Sequence, residues 1–151
     1  MVSETLKFQK NTENGKVSEK IFAERQLDEL ISDNSDRKLA KKILELLQDS
    51  KAEEIVLIDV RYNSNLADYL FICEGRSQLH CRGIAENVII RLKHHGEINL
   101  GIEGELEGNW VLLDYGNILL HVFHPEIRKY YNLEELYAAP QLKDGKNNIN
   151  P

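Results

Sequence analysis

The apolar positions of this chain change period several times, and each change marks a different element. Leu39, Ile43, Leu46 and Leu47 recur at helical spacing behind Ser35, a residue type that caps helix N-termini, so a first core helix is expected there. Ile55 to Val60 is an unbroken apolar run of strand length, the pattern of a central strand covered on both faces. A loop from Arg61 to Asp68 leads to a second strand, Tyr69 to Cys73. Gly75-Arg76-Ser77 then turns the chain into a helix whose Cys81, Ile84, Ala85, Val88, Ile89 and Leu92 form an apolar stripe, closed by His94-His95-Gly96. Ile98 to Ile102 supplies a short strand.

Trp110 to Asp114 and Ile118 to Phe123 are two apolar runs rich in β-formers. Tyr115-Gly116-Asn117 joins them, and the Gly-Asn pair suits the positive φ of a tight primed turn, so the two runs read as a β-hairpin. Alternation puts Trp110, Leu112 and Asp114 on one side and Val111, Leu113 and Tyr115 on the other. Pro125 fits the first position of a helical turn through Tyr131, and Asn132 with Glu135 makes a capping-box-like start to a terminal helix. The whole predicts an α/β fold with a small mixed β-sheet flanked by helices.

The ends lack such patterns. Residues 1–35 are polar and read as a flexible N-terminal extension, with a short helix over Ile21 to Ile31 as the only local signal; residues 140–151 read as a polar C-terminal tail. One domain over 36–139 is expected. No apolar run approaches the roughly 18 residues of a membrane span, and the N-terminus has no secretory signal pattern, so a soluble, cytoplasmic protein with no membrane partner is expected.

Charge sharpens the picture. The net charge is -6, and residues 36–139 hold 17 acids against 12 bases, so the acidic part is the folded part. No Lys or Arg lies between Lys93 and Arg128, while Glu97, Glu103, Glu105, Glu107, Asp114 and Glu126 all do. Such a field attracts a basic partner, and little direct RNA binding is expected of it because phosphates are bound through Lys and Arg.

Several residues in this part of the chain also form a familiar set. Ala67-Asp68-Tyr69, Gly75 and Ser77, Glu103-Gly104, Trp110, Asp114-Tyr115-Gly116, His121-Val122-Phe123, and Arg128, Tyr130, Tyr131, Leu133 and Glu134 agree in order and spacing with one family. Over roughly residues 36 to 139 the chain resembles the ribosomal silencing factors, also called Iojap or RsfS. It departs at Asn117, where that family often carries Asp; a surface charge is lost there and the turn chemistry is kept. The resemblance implies a fold related to nucleotidyltransferases, attachment to the large ribosomal subunit through its basic protein L-fourteen, a steric block of subunit joining, and a possible homodimer.

The nucleotidyltransferase relation raises a chemical alternative, a nucleotide-binding enzyme. Gly75-Arg76-Ser77 sits where a strand meets a helix N-terminus, a place suited to phosphate, but only Glu86 follows on the helix and no paired carboxylates are there to hold cations. The chain is thus expected to be nucleotidyltransferase-like without an evident catalytic centre, and no catalytic residue, cofactor or metal is assigned. His121 and His124 have HxxH spacing, yet three residues apart on a strand they point to opposite faces. Cys73 and Cys81 read as small buried hydrophobes in a reducing compartment. A second alternative is a scaffold that self-associates through an exposed hairpin. The neighbourhood expected to bind a partner comprises Trp110, Asp114, Tyr115, Asn117, His121, Arg128 and Tyr131, where aromatic anchors lie beside a charged rim.

Overall fold

A computed structural model describes residues 4–8, 17–64 and 66–138. Six strands form one mixed sheet: β1 (Thr5–Phe8), β2 (Glu53–Asp59), β3 (Tyr69–Glu74), β4 (Gly101–Glu103), β5 (Trp110–Asp114) and β6 (Ile118–Phe123), in the spatial order β1-β2-β3-β6-β5-β4. The central pair β3 and β6 runs parallel, with Tyr69 opposite Ile118, and every other neighbouring pair is antiparallel. A parallel neighbour needs a long crossover, and here it contains α3 (Gln78–His94) together with β4 and β5.

Three helices, α1 (Val17–Leu30), α2 (Asn34–Asp49) and α3, cover one face of the sheet. Ile55 and Leu57 of β2, Phe71 and Cys73 of β3, Leu120 and Val122 of β6, and Val111 and Leu113 of β5 alternate into that core. The intervening residues of β2 and β3 are buried as well, because α4 (Pro125–Tyr131) and α5 (Leu133–Ala138) lie on the opposite face over Val56, Ile58, Leu70, Ile72 and Phe123. This double cover explains why Ile55 to Val60 reads as continuous rather than alternating.

The hairpin and α4 have the bounds that their sequence predicts, and four other expectations change. Of residues 1–35, expected as a flexible extension with a short helix over Ile21 to Ile31 as its one local signal, the described ones contribute β1, which pairs along β2, and α1, which covers most of that helix and buries Leu27, Leu30 and the following Ile31. A four-residue edge strand is held by backbone bonds to a distant partner, which leaves no periodicity to read. Asp33 rather than Ser35 caps α2, its carboxylate accepting from the Asp36 amide at 2.9 Å. In the hairpin turn only Gly116 takes a positive φ, +87°, on the first of two central residues, where a II′-type hairpin places its glycine. The short strand sought over Ile98 to Ile102 forms at Gly101–Glu103. Residues 139–151, including the tail, lie outside the described residues.

Candidate functional site

Helices α4 and α5 cover only part of their face of the sheet, and the uncovered part gathers several of the residues that the sequence singles out. Cross-strand register sets Trp110 opposite Phe123, Leu112 opposite His121, and Asp114 opposite Leu119, all pointing to this face. β4 extends the rows outward by placing Glu103 beside Leu112. The row from the edge inward is therefore Glu103, Leu112, His121: carboxylate, aliphatic, imidazole.

Trp110 is half-buried at the centre of an aromatic group. Its indole N–H donates to Nδ1 of His121 at 2.9 Å, and its ring centre lies 4.9 Å from Phe123 and 4.7 Å from Tyr131. An indole nitrogen only donates, so Nδ1 must be the unprotonated nitrogen of His121. Burial holds this imidazole neutral by pulling its pKa down to about 4. The histidine therefore acts at neutral pH as an acceptor that fixes the indole.

Tyr131 reaches the tryptophan from the last turn of α4. That helix starts at Pro125 with His124 as its cap, the imidazole Nδ1 accepting from the Glu126 amide at 3.3 Å. On its inner side Arg128 is buried and bonded both to Glu74 at the end of β3, at 3.3 Å, and to Glu134 of α5, at 3.2 Å. One guanidinium thus ties two helices to the sheet and sets where Tyr131 stands. Desolvation raises the pKa of the Glu74 carboxyl and outweighs the lowering by Arg128 beside it.

The acidic side chains are spread over the β4 edge, its flanking loops and the first turn of α4. Glu97, Glu103, Glu105, Glu107 and Glu126 are all exposed, and Leu100 and Leu106 stand out beside them. The loop between β4 and β5 is shaped by its glycines. At Gly104, φ is +78° and a Cβ would lie 2.0 Å from the Trp110 carbonyl oxygen, so the strand carrying Trp110 can approach only a glycine here. The loop is also pinned to α3, where the Gln78 amide donates to Asn109 at 2.6 Å.

Of the seven residues expected at a partner site, Trp110, Asp114, His121 and Tyr131 are associated with the open face. Asp114 is engaged by the turn, accepting from the Gly116 amide at 2.8 Å. Tyr115 points to the other side, packed on the main core, where burial pushes its hydroxyl up to about 12. Asn117 is at the hairpin tip, its side-chain amide donating to the Asp36 carboxylate at 3.2 Å. Arg128 lies beneath the surface. Alternation in the sequence already set Leu112 on the side of Trp110; Leu119 was not singled out, and the cross-strand register opposite Asp114 assigns it to this face.

The strand–helix junction considered for phosphate is occupied by the protein's own acceptors. The Gly75 amide donates to the Phe123 carbonyl at 3.0 Å, the Arg76 amide to Nδ1 of His80 at 2.9 Å, and the His80 amide to the Ser77 hydroxyl at 3.0 Å. His80 Nε2 in turn bonds the Ser50 carbonyl at 2.8 Å, tying the junction to the end of α2. A Cβ on Gly75 would come within 2.8 Å of the Cys81 nitrogen. Among the described residues no group of three or more His, Cys, Asp or Glu is placed to hold a metal ion. His121 and His124, the HxxH pair, serve separate hydrogen bonds. The free edges of the described sheet are β1 and β4, so the hairpin itself has no open edge. No described helix is long and apolar enough to cross a membrane.

Comparison with known proteins agrees with this architecture. A family described as "Ribosomal silencing factor during starvation" (RsfS) matches residues 33–150. The ribosomal silencing factor of Bacillus subtilis is 38% identical over 96 residues, which cover 64% of this chain and 81% of that protein. A mouse protein named "Mitochondrial assembly of ribosomal large subunit protein 1" is 28% identical over 68% of this chain and 46% of its own length. A crystal structure of a Chromobacterium violaceum protein superposes with a TM-score of 0.66 at 30% identity, covering 71% of this chain and 89% of that one. With its mixed sheet, flanking helices and family match in accord, the chain belongs to the ribosomal silencing factor family.

Proposed function

We propose that this protein is a noncatalytic silencing factor that attaches to the large ribosomal subunit through its basic protein L-fourteen and blocks joining of the small subunit by occupying the space of an intersubunit contact. The observation that carries the reading is the exposed acidic edge formed by Glu103, Glu105 and Glu107, in a stretch of chain with no Lys or Arg between Lys93 and Arg128, on the edge strand and loop that precede Trp110; Arg82 reaches this loop from α3 through the Leu106 carbonyl. An acidic edge next to half-exposed aromatics suits a basic protein surface: the charges accelerate and orient encounter, and the desolvated rings slow dissociation. The mouse relative's name, which refers to the large subunit, supports the choice of subunit. Exclusion by volume needs no turnover, in keeping with the internally occupied junction at Gly75 to Ser77. The protein works in the compartment that holds the ribosomes, the cytoplasm in a bacterium.

Glu105 and Glu107 are the residues to reverse, because both are exposed and, unlike Asp114, neither caps the hairpin turn. Association of the E105K/E107K variant with purified large subunits is expected to slow markedly at low salt and to converge on the parent rate as salt rises. An association rate unaffected by either change would contradict the electrostatic docking.

A further inference from the structure

A cleft of about 210 Å³ lies between α1 and α2. The family match begins at residue 33, so the α1 wall of this cleft is supplied by chain that precedes it. The floor is apolar: Ala23 and Leu27 of α1 meet Leu44 of α2, and Leu27 and Leu44 are buried. An apolar cavity of about 150 Å³ holds benzene, so there is room here for a branched aliphatic or phenyl side chain. The rim carries both signs of charge. Lys38 and Lys42 line it from α2, followed one turn later by Glu45, while Glu24 lines it from α1. Asp28 holds Lys41 at 2.7 Å and so fixes one helix on the other. Lys42 and Glu45 are 3.7 Å apart and partly exposed, a pair weak enough for both to change partner at small cost. Among the described residues Lys38 makes no ion pair.

We infer that this cleft binds a free apolar α-amino acid as its zwitterion. The carboxylate lies at Lys38 and Lys42, the ammonium group at Glu45 and Glu24, and the side chain on the floor of Ala23, Leu27 and Leu44. Lys42 and Glu45 are three residues apart, about 4.5 Å along the helix axis, short enough for the two charges of one amino acid to meet both. A simple anion would bring its charge beside Glu24 and Glu45, and a simple cation would meet Lys38 and Lys42. Only a molecule with both charges next to an apolar group answers the whole rim. Exposed charges and an open side keep the affinity low, with a Kd of about 1 mM. The cleft belongs to the helical layer that covers the sheet face opposite Trp110, so its occupancy does not depend on the ribosome reading and is measured on the protein alone.

Nitrogen–proton correlation spectra of the labelled full chain, titrated with L-leucine and L-phenylalanine to about 20 mM, test this. Saturating shifts are expected at amides of α1 and α2 and not at those of the hairpin. Leucinamide lacks the carboxylate, N-acetyl-leucine lacks the ammonium group and glycine lacks the apolar side chain, so each is expected to bind about fivefold or more weakly. K38A/K42A and Glu45→Gln are expected to weaken leucine binding to a similar extent. Ala23→Leu, which fills the floor without touching a charge, is expected to suppress binding while signals from the rest of the chain stay in place, which separates a blocked cleft from a misfolded chain. No saturating shifts with either amino acid, an equal response to leucinamide or N-acetyl-leucine, or K38A/K42A binding leucine like the parent would each overturn the proposal.

Discussion

Trp110 and His121 form a one-way hydrogen bond across β5 and β6, with the indole donating to Nδ1 at 2.9 Å. Because only the neutral imidazole can accept, this bond couples the shape of the open face to the protonation of one buried group. The same tryptophan packs on Phe123 and Tyr131, so a single side chain joins the hairpin to the end of α4.

Replacing Trp110 by Ala removes that packing and leaves His121 without its donor. Urea unfolding is expected to show a loss of about 3 kcal/mol, with Trp110→Phe losing only about 1 kcal/mol because it keeps most of the apolar contact. Equal losses in the two variants would mean that the hydrogen bond, rather than the packing, holds the face.

Stability should also depend on pH through His121. Its pKa is held near 4 in the folded chain, against 6.5 for the free side chain, so the unfolded state binds a proton that the folded state refuses between those values. The contribution is complete above pH 6.5 and is lost as pH falls towards 4, by at most about 3 kcal/mol. In His121→Gln, unfolding free energy measured between pH 7 and 4 is expected to fall less steeply than in the parent.

Arg128 is expected to matter for folding more than for recognition. Arg128→Ala leaves Glu74 and Glu134 facing each other without a cation, at a cost of about 3 kcal/mol; partial solvent access to both carboxylates keeps this at the low end for a broken buried pair. Adding Glu74→Gln and Glu134→Gln should restore much of the thermal stability. Recovery absent in the triple variant would assign the loss to packing of the arginine stem instead.

Gly104 offers a backbone test. Gly104→Ala forces a Cβ against the Trp110 carbonyl at a φ of +78°, and thermal unfolding is expected to show a loss of roughly 2 kcal/mol or more. A Gly108→Ala variant strains the loop differently, since there the added methyl meets the Gln78 carbonyl at the head of α3.

How much of this was legible depended on whether a residue's role was local. The hairpin strands and α4 are bounded by residues whose backbone preferences act on the spot, Gly116 and Pro125, and their limits came directly from the sequence. Asp33, Asn34 and Ser35 are all capping types, so only the backbone could show that Asp33 is the cap. β1 was missed because its partner β2 lies more than forty residues away, and α1 was underread because, among its described side chains, the buried ones, Leu27 and Leu30, lie near its C-terminal end. Within the site, alternation correctly separated Trp110 from Tyr115. Nothing near Arg128 announced that Glu74, 54 positions earlier, would bury it.

The central claim is that the bound protein keeps the two subunits apart. Purified protein should be sedimented with isolated large subunits, then with both subunits under joining conditions, with intact ribosomes as control. The account predicts selective attachment to free large subunits and a fall in joined ribosomes that scales with occupancy, both weakened in E105K/E107K. Attachment with undiminished joining would contradict steric silencing, and no attachment at micromolar protein and moderate salt would contradict docking on the large subunit itself.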